Sequence, residues 1–197
     1  MQDPNIQNQR PVGYGLNAFG QQILIPATAI QARVAEMGAA ISRDYAGQSL
    51  TLIGALKGCF MFMSDLSRHI RLPLYVDFLE VSSYGEATES SGIVKITKDF
   101  KHSITDQHVL LIEDIVDTGL TLNHLMELLQ TRRPASLEIA ALLVKPTKQQ
   151  LRFPLKYSGF EVEDHFVVGY GMDFQGYYRN LDHIAVADPN RPPNRGQ

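Results

Sequence analysis

Residues 109–121 read VLLIEDIVDTGLT: four apolar residues in a row, two adjacent acids, two more apolar residues and an Asp-Thr-Gly turn. A strand with one wet face alternates apolar and polar side chains, whereas a continuous apolar run is what a strand buried on both faces requires. Beyond the turn, Leu120, Leu122, Leu125, Met126, Leu128 and Leu129 recur with helical spacing. The stretch reads as a buried strand feeding a helix through a tight turn, the repeating unit of a parallel α/β sheet.

The same unit recurs on both sides. Residues 50–56 form a short apolar run followed by Lys57-Gly58, after which Cys59, Phe60, Phe62, Met63, Leu66 and Ile70 predict a helix. Upstream, Thr28 to Gln31 has the spacing of a capping box, and Ile30, Val34, Met37, Ile41 and Tyr45 then mark one helical face until Gly47. Residues 74–81 are strand-like, residues 82–92 (SSYGEATESSG) are small and polar, and Ile93 and Ile96 predict the return arm of a long hairpin. Residues 137–144, 166–168 and 184–186 supply further strands. Alternating strands and helices predict an α/β fold with a mainly parallel central sheet.

With 197 residues and no interdomain linker, the chain is expected to be a single domain, 1–197, with loose or peripheral ends at 1–20 and 188–197. Eighteen Lys and Arg against 21 Asp and Glu give a formal charge of -3, so nothing calls for a nucleic-acid partner. The one cysteine, Cys59, excludes an intramolecular disulfide and a Cys-based zinc site, and the six histidines show no ligand spacing. Apolar runs stay far below the roughly 18 residues of a membrane helix, and no signal sequence is evident, so an intracellular protein that does not span a membrane is expected.

Chemistry concentrates in the opening stretch. Glu113, Asp114 and Asp117 put three carboxylates within five residues, which is costly inside a sheet. Ligands of open α/β sheets bind beyond the carboxyl ends of the strands, and a helix N-terminus reached through a Gly turn offers free N–H groups and about half a positive charge to a phosphate. Asp117, Thr118, Gly119, Leu120 and Thr121 therefore form a candidate phosphate cradle. The same residues also fit a solvated strand end with Asp117 or Thr118 capping the helix. Neither the Walker nor the dinucleotide glycine pattern is present.

The block VLLIEDIVDTGLT resembles the phosphoribosyl-pyrophosphate-binding motif of the type I phosphoribosyltransferases. Four more segments resemble the hypoxanthine-guanine branch of that family: LKGCFMF around Lys57, SSYG at 82–85, LLVKP around Lys145, and FVVGYGMD at 166–173 with Arg179 soon after. The likeness spans roughly residues 25–187. It implies the type I phosphoribosyltransferase fold, with a mobile hairpin loop and a small C-terminal hood over the base site at approximately 150–187.

The resemblance also implies roles. Glu113 and Asp114 would hold the ribose hydroxyls at the strand end and, with Asp173, help place Mg2+, a hard cation that suits carboxylate oxygens. The cradle from Asp117 to Thr121 would take the 5′-phosphate. Lys57 and Gly58 would face the pyrophosphate, with a cis peptide bond between them, and Arg179 would neutralise the same phosphates. Asp117 would be the catalytic acid-base group beside N7 of the purine. Lys145, Phe166, Val167 and Asp173 would make up the base site, Lys145 donating to the 6-oxo group and Phe166 stacking on the ring. Ser83 and Tyr84 would belong to the loop that closes over the reacting centre. Without the resemblance each would have a plainer reading: a turn at Lys57-Gly58, a solvated Lys145, a core Phe166, surface charges at Asp173 and Arg179.

Two positions depart from the family pattern, Leu120 where some members carry lysine and Cys59 where others carry glycine; neither removes a catalytic group. Cys59 reads as a small packing residue rather than a nucleophile. The expectation is a magnesium-dependent purine-salvage enzyme of the cytoplasm, a homodimer or homotetramer. It would convert hypoxanthine, and guanine beside it, with phosphoribosyl pyrophosphate to the nucleoside monophosphate and pyrophosphate. A regulator that keeps this fold to sense a nucleotide and bind nucleic acid is the rival reading. The acid at Asp117, the complete FVVGYGMD segment and the absence of a basic stripe weigh against it.

Overall fold

A computed structural model describes residues 15–83, 94–148 and 150–193. The opening stretch is strand β5 (His108–Val116) followed by helix α3 (Leu120–Gln130). Around it lie β1 (Gln22–Ile25), α1 (Ala27–Asp44), β2 (Leu50–Leu56), α2 (Phe60–His69), β3 (Leu74–Ser83), β4 (Val94–Lys98), β6 (Ser136–Val144), β7 (Tyr157–Glu161), β8 (Val167–Val168) and β9 (Ile184–Val186).

The main sheet runs β4-β3-β2-β5-β6-β7, parallel throughout except for β4, which returns antiparallel beside β3 as the hairpin reading predicts. On β5, Leu110 and Ile112 pack into the cluster with α1 and α2, while Val109 and Leu111 pack with α3 on the other face. All four are fully buried, which is why the run carries no polar residue. Each such side chain contributes about 1.5–3 kcal/mol.

Three sequence expectations shift. The strand does not end at residue 112: β5 continues to Val116, because residues 113–116 pair with β6 through backbone groups, which no side-chain pattern reveals. Glu113 and Asp114 thus lie within the strand. The capping box at Thr28 is not used; α1 starts at Ala27 after Pro26 with no side-chain cap, and the Gln31 amide donates instead to Asp65 on α2. A second sheet of order β1-β9-β8 joins residues 22–25 to the chain's far end, and β7 adds an edge strand to the main sheet.

Candidate active site

Because β2, β5 and β6 are parallel neighbours, their carboxyl ends meet at one edge, and Lys57, Asp117 and Lys145 each follow directly on one of these strands. The Lys145 N–H donates to the Val116 carbonyl at 2.9 Å, holding the two exits side by side. A cleft of about 340 Å3 opens here. Lys57 and Gly58 line it from β2, Asp114, Ile115 and Asp117 from β5, and Lys145 from β6. The 166–179 segment closes it with Phe166, Val167, Met172, Asp173 and Arg179. Residues separated by more than a hundred positions are thereby gathered. Glu113 does not line the cleft, and Ile115, which sequence reasoning did not single out, does.

Beside the cleft, Gly119 takes a left-handed φ of 78° and turns the chain from Asp117 into α3. The first amides of α3 have no carbonyl one turn back; that of Leu120 donates to the Thr118 hydroxyl at 3.4 Å, and the helix dipole lies behind them. Thr118 and Thr121 are exposed. The cradle is braced from behind: the Gln150 N–H donates to Thr118 O at 2.8 Å. The buried Asn123 of α3 donates to Gln150 O at 2.9 Å and accepts from the Arg152 N–H at 2.8 Å. Asn123 is a functional support that its helical position concealed. Asn123→Ala is expected to lose about 1–3 kcal/mol of stability by leaving buried polar groups unmatched, read by denaturant unfolding. A loss under 0.5 kcal/mol would show the brace to be dispensable.

Lys145 is buried, with Nζ 3.4 Å from Asp117 Oδ2 and 3.3 Å from Asp164 Oδ1. The second acid was missed; only the fold of the segment before β8 brings it near. Asp117 Oδ1 is buried and has no hydrogen-bond partner among the described residues. A carboxylate oxygen left without a donor is costly unless a ligand supplies one. Phe166 is 39% exposed, lines the cleft and makes a T-shaped contact with Phe174 at 5.2 Å.

The phosphoribosyl transferase domain family matches residues 22–175. The chain belongs to that family. A phosphoribosyltransferase of Mycobacterium avium, named for hypoxanthine and guanine, is 45% identical over 175 residues, covering 86% of each chain. One of Staphylococcus aureus is 46% identical over 169 residues, 86% of this chain and 94% of the relative. The crystal structure of a hypoxanthine phosphoribosyltransferase from S. aureus superposes with a TM-score of 0.82 at 47% identity, covering 85% of this chain and 91% of the other. A hypoxanthine-guanine phosphoribosyltransferase from Bacillus anthracis, solved with HEPES in its active site, gives 0.81 at 40% identity over 84% and 98%.

One further feature of this phosphoribosyltransferase departs from the sequence reading. The cis peptide bond lies between Leu56 and Lys57, one residue earlier than expected. A Cβ on Gly58 would overlap the Asp114 carboxylate, so glycine here lets the turn after β2 pack against that side chain of β5. Ser83 ends β3, its side chain undescribed, and Tyr84 lies outside the described residues. Cys59 is fully buried; burial first, then Glu113 and Asp114, push its thiol far above the ordinary range, so it packs rather than reacts.

Burial pushes the Glu113 carboxyl well up, and the adjacent Asp114 adds to it. Burial likewise raises Asp114, opposed by the Ile115 N–H, which donates to Oδ1 at 2.9 Å, and by Arg179. A carboxyl whose pKa is raised on folding favours the fold below its unfolded value and loses that contribution as pH rises through the folded one. Glu113→Gln is therefore expected to raise the melting temperature of the ligand-free protein at pH 8 by about 2–4 °C, the shift that about 1 kcal/mol produces in a chain of this size. The gain should vanish toward pH 4. Thermal melts across that range check it, and a pH-independent difference would contradict the assignment.

Proposed function

We propose that the protein transfers the phosphoribosyl group of phosphoribosyl pyrophosphate to N9 of hypoxanthine or guanine, in purine salvage. The observation that carries this reading is the meeting of Asp117, Lys145 and the partly exposed ring of Phe166 in one cleft beside the candidate cradle. Phe166 stacks on the purine, and Lys145 donates to O6. Asp117 takes the proton at N7 as the new bond forms, and the cradle at 117–121 holds the 5′-phosphate through backbone N–H groups. Asp114, which lines the cleft, serves the ribose hydroxyls, while Glu113 lies behind it. Lys57, the Gly58 backbone and Arg179 receive the departing pyrophosphate, where charge develops in the transition state.

Among the described residues no three His, Cys, Asp or Glu side chains converge as a protein-only metal site. Mg2+ keeps waters and substrate phosphates around it and needs one or two carboxylates from the protein. Asp114 and Asp173 face the same cleft and fit this role. Asp173 is held by Arg179 at 2.6 Å and by the Gly176 N–H at 2.7 Å. When bound, Mg2+ would neutralise charge on the pyrophosphate. Glu113, away from the cleft lining, is the weaker of the three expected ligands. Of the hood expected at approximately 150–187, β7 belongs instead to the edge of the main sheet, and the 166–187 part, with β8 and β9 paired to β1, serves as the hood within a single-domain, cytoplasmic homodimer or homotetramer. No helix among the described residues is long and apolar enough to cross a membrane.

A spectrophotometric assay with hypoxanthine, guanine, xanthine and adenine, each with the same donor and Mg2+, tests the reading. Turnover of hypoxanthine and guanine is expected, and turnover of adenine alone would overturn it.

A further inference from the structure

The turn that carries Met172 and Asp173 into the cleft is folded tightly on itself. Gly169, Tyr170 and Gly171 have φ of 100°, 48° and 101°. Gly169 and Met172 exchange N–H···O bonds of 3.0 and 3.1 Å. Glycine adopts such angles freely, but a bulky residue between two glycines does so only where its surroundings hold it. Tyr170 is 4% exposed, and its hydroxyl donates to Asp65 Oδ2 at 2.6 Å.

Asp65 sits in the middle of α2 and gathers partners from three directions: Tyr170, Gln31 of α1 at 2.7 Å, and Arg68 one turn on. Burial pushes its carboxyl up, but those hydrogen bonds and the Arg68 guanidinium outweigh it and hold the group below the usual carboxylate range. The same helix begins directly after Lys57-Gly58, and a Cβ on Gly171 would overlap the Gly58 carbonyl. Two segments facing the pyrophosphate, 57–58 and 171–173, are therefore stacked backbone on backbone, and α2 touches both.

We infer that Tyr170 is a positioning residue: its hydrogen bond to Asp65 pins the 169–173 turn onto α2 and so fixes Asp173 and Arg179 in register with Lys57 and Gly58. Arg179 is part of the same clamp, since its guanidinium donates to Gly171 O at 2.7 Å and the Gly171 N–H donates to Arg179 O at 2.9 Å. The hydroxyl touches no substrate; it acts through the turn. This role rests on the reading of that end of the cleft as the pyrophosphate site.

Tyr170→Phe removes one oxygen and leaves Asp65 with Gln31 and Arg68, so no buried charge is stranded. The expected result is a rise of about tenfold in the donor KM and in the inhibition constant of magnesium pyrophosphate, the scale of one charge-assisted hydrogen bond, with the hypoxanthine KM within about twofold of wild type. Asp65→Asn keeps an acceptor oxygen and should show a smaller rise of the same kind; it also serves if Tyr170→Phe does not fold. The double variant should be no worse than Tyr170→Phe, since both act on one contact. A lower melting temperature with unchanged donor and pyrophosphate constants would reduce the pair to fold stability and overturn the role. Calorimetry of wild type with magnesium pyrophosphate separates the two layers. Wild type that binds while Tyr170→Phe binds equally well removes the role alone, and wild type that does not bind removes the pyrophosphate reading and the role with it.

Discussion

Asp117→Asn is expected to keep the fold and donor binding while losing about 10²-fold or more in turnover, the usual worth of a positioned general base. Asp117 Oδ2 lies 3.4 Å from the Lys145 ammonium, whereas Oδ1 is buried without a partner among the described residues. An oxygen in that state is prepared for a donor that arrives with the ligand, and the N–H of a purine protonated at N7 is such a donor. Asparagine has the same shape but cannot accept the proton, and half of its orientations turn an amide N–H toward the ring. The substitution should not unfold the site, because Lys145 retains Asp164 at 3.3 Å and the proposed cradle would act through backbone groups. Rapid-quench measurement of the chemical step, together with donor affinity by calorimetry, checks both halves. Near-normal turnover would remove Asp117 from the mechanism, and lost donor affinity would mean that its side chain shapes the cradle.

What the sequence could show follows from where the information resides. β5 and α3 were readable because double-sided burial and helical packing each impose a local apolar period on neighbouring residues. β1 and β7 lack such a signal. The four residues of β1 find their partner β9 about 160 positions away, and β7 (YSGFE) is an edge strand whose mixed side chains alternate only weakly. The extension of β5 through Glu113 and Asp114 was hidden for the same reason, since the ladder to β6 is made by backbone groups.

The candidate site was legible in its strand-end and cradle residues from local chemistry. Its scattered members, Lys57, Lys145, Phe166, Asp173 and Arg179, were legible only through resemblance, because they meet only when the 166–179 segment folds over the strand ends that carry Lys57 and Lys145. Asp164, Asn123 and the Asp65–Tyr170 pair escaped both routes. Each is an ordinary polar residue whose work lies in hydrogen bonds or ion pairs to residues distant in sequence.

Lys145→Gln should lose about 10²-fold or more in kcat/KM with hypoxanthine and narrow the hypoxanthine-to-adenine ratio, on the scale of roughly 3 kcal/mol per buried charged hydrogen bond. Lys145 is 6% exposed and lies between Asp117 and Asp164, which occupy two directions around an ammonium that has three donors and no acceptor. The remaining donor suits the oxygen at position 6 of hypoxanthine or guanine. The amino group of adenine would set donor against donor and leave a desolvated N–H unmatched, so rejection arises from a repulsive element rather than from a missing attraction. Glutamine offers both an amide donor and a carbonyl acceptor and tolerates either base. It also leaves Asp117 and Asp164 without the cation between them, so the fold of the variant must be verified by its thermal melt before the kinetics are interpreted. A folded variant with an unchanged base ratio would move the discrimination to the backbone at Val167, which lines the same cleft. A ratio that narrows while the donor KM holds would place it on the lysine.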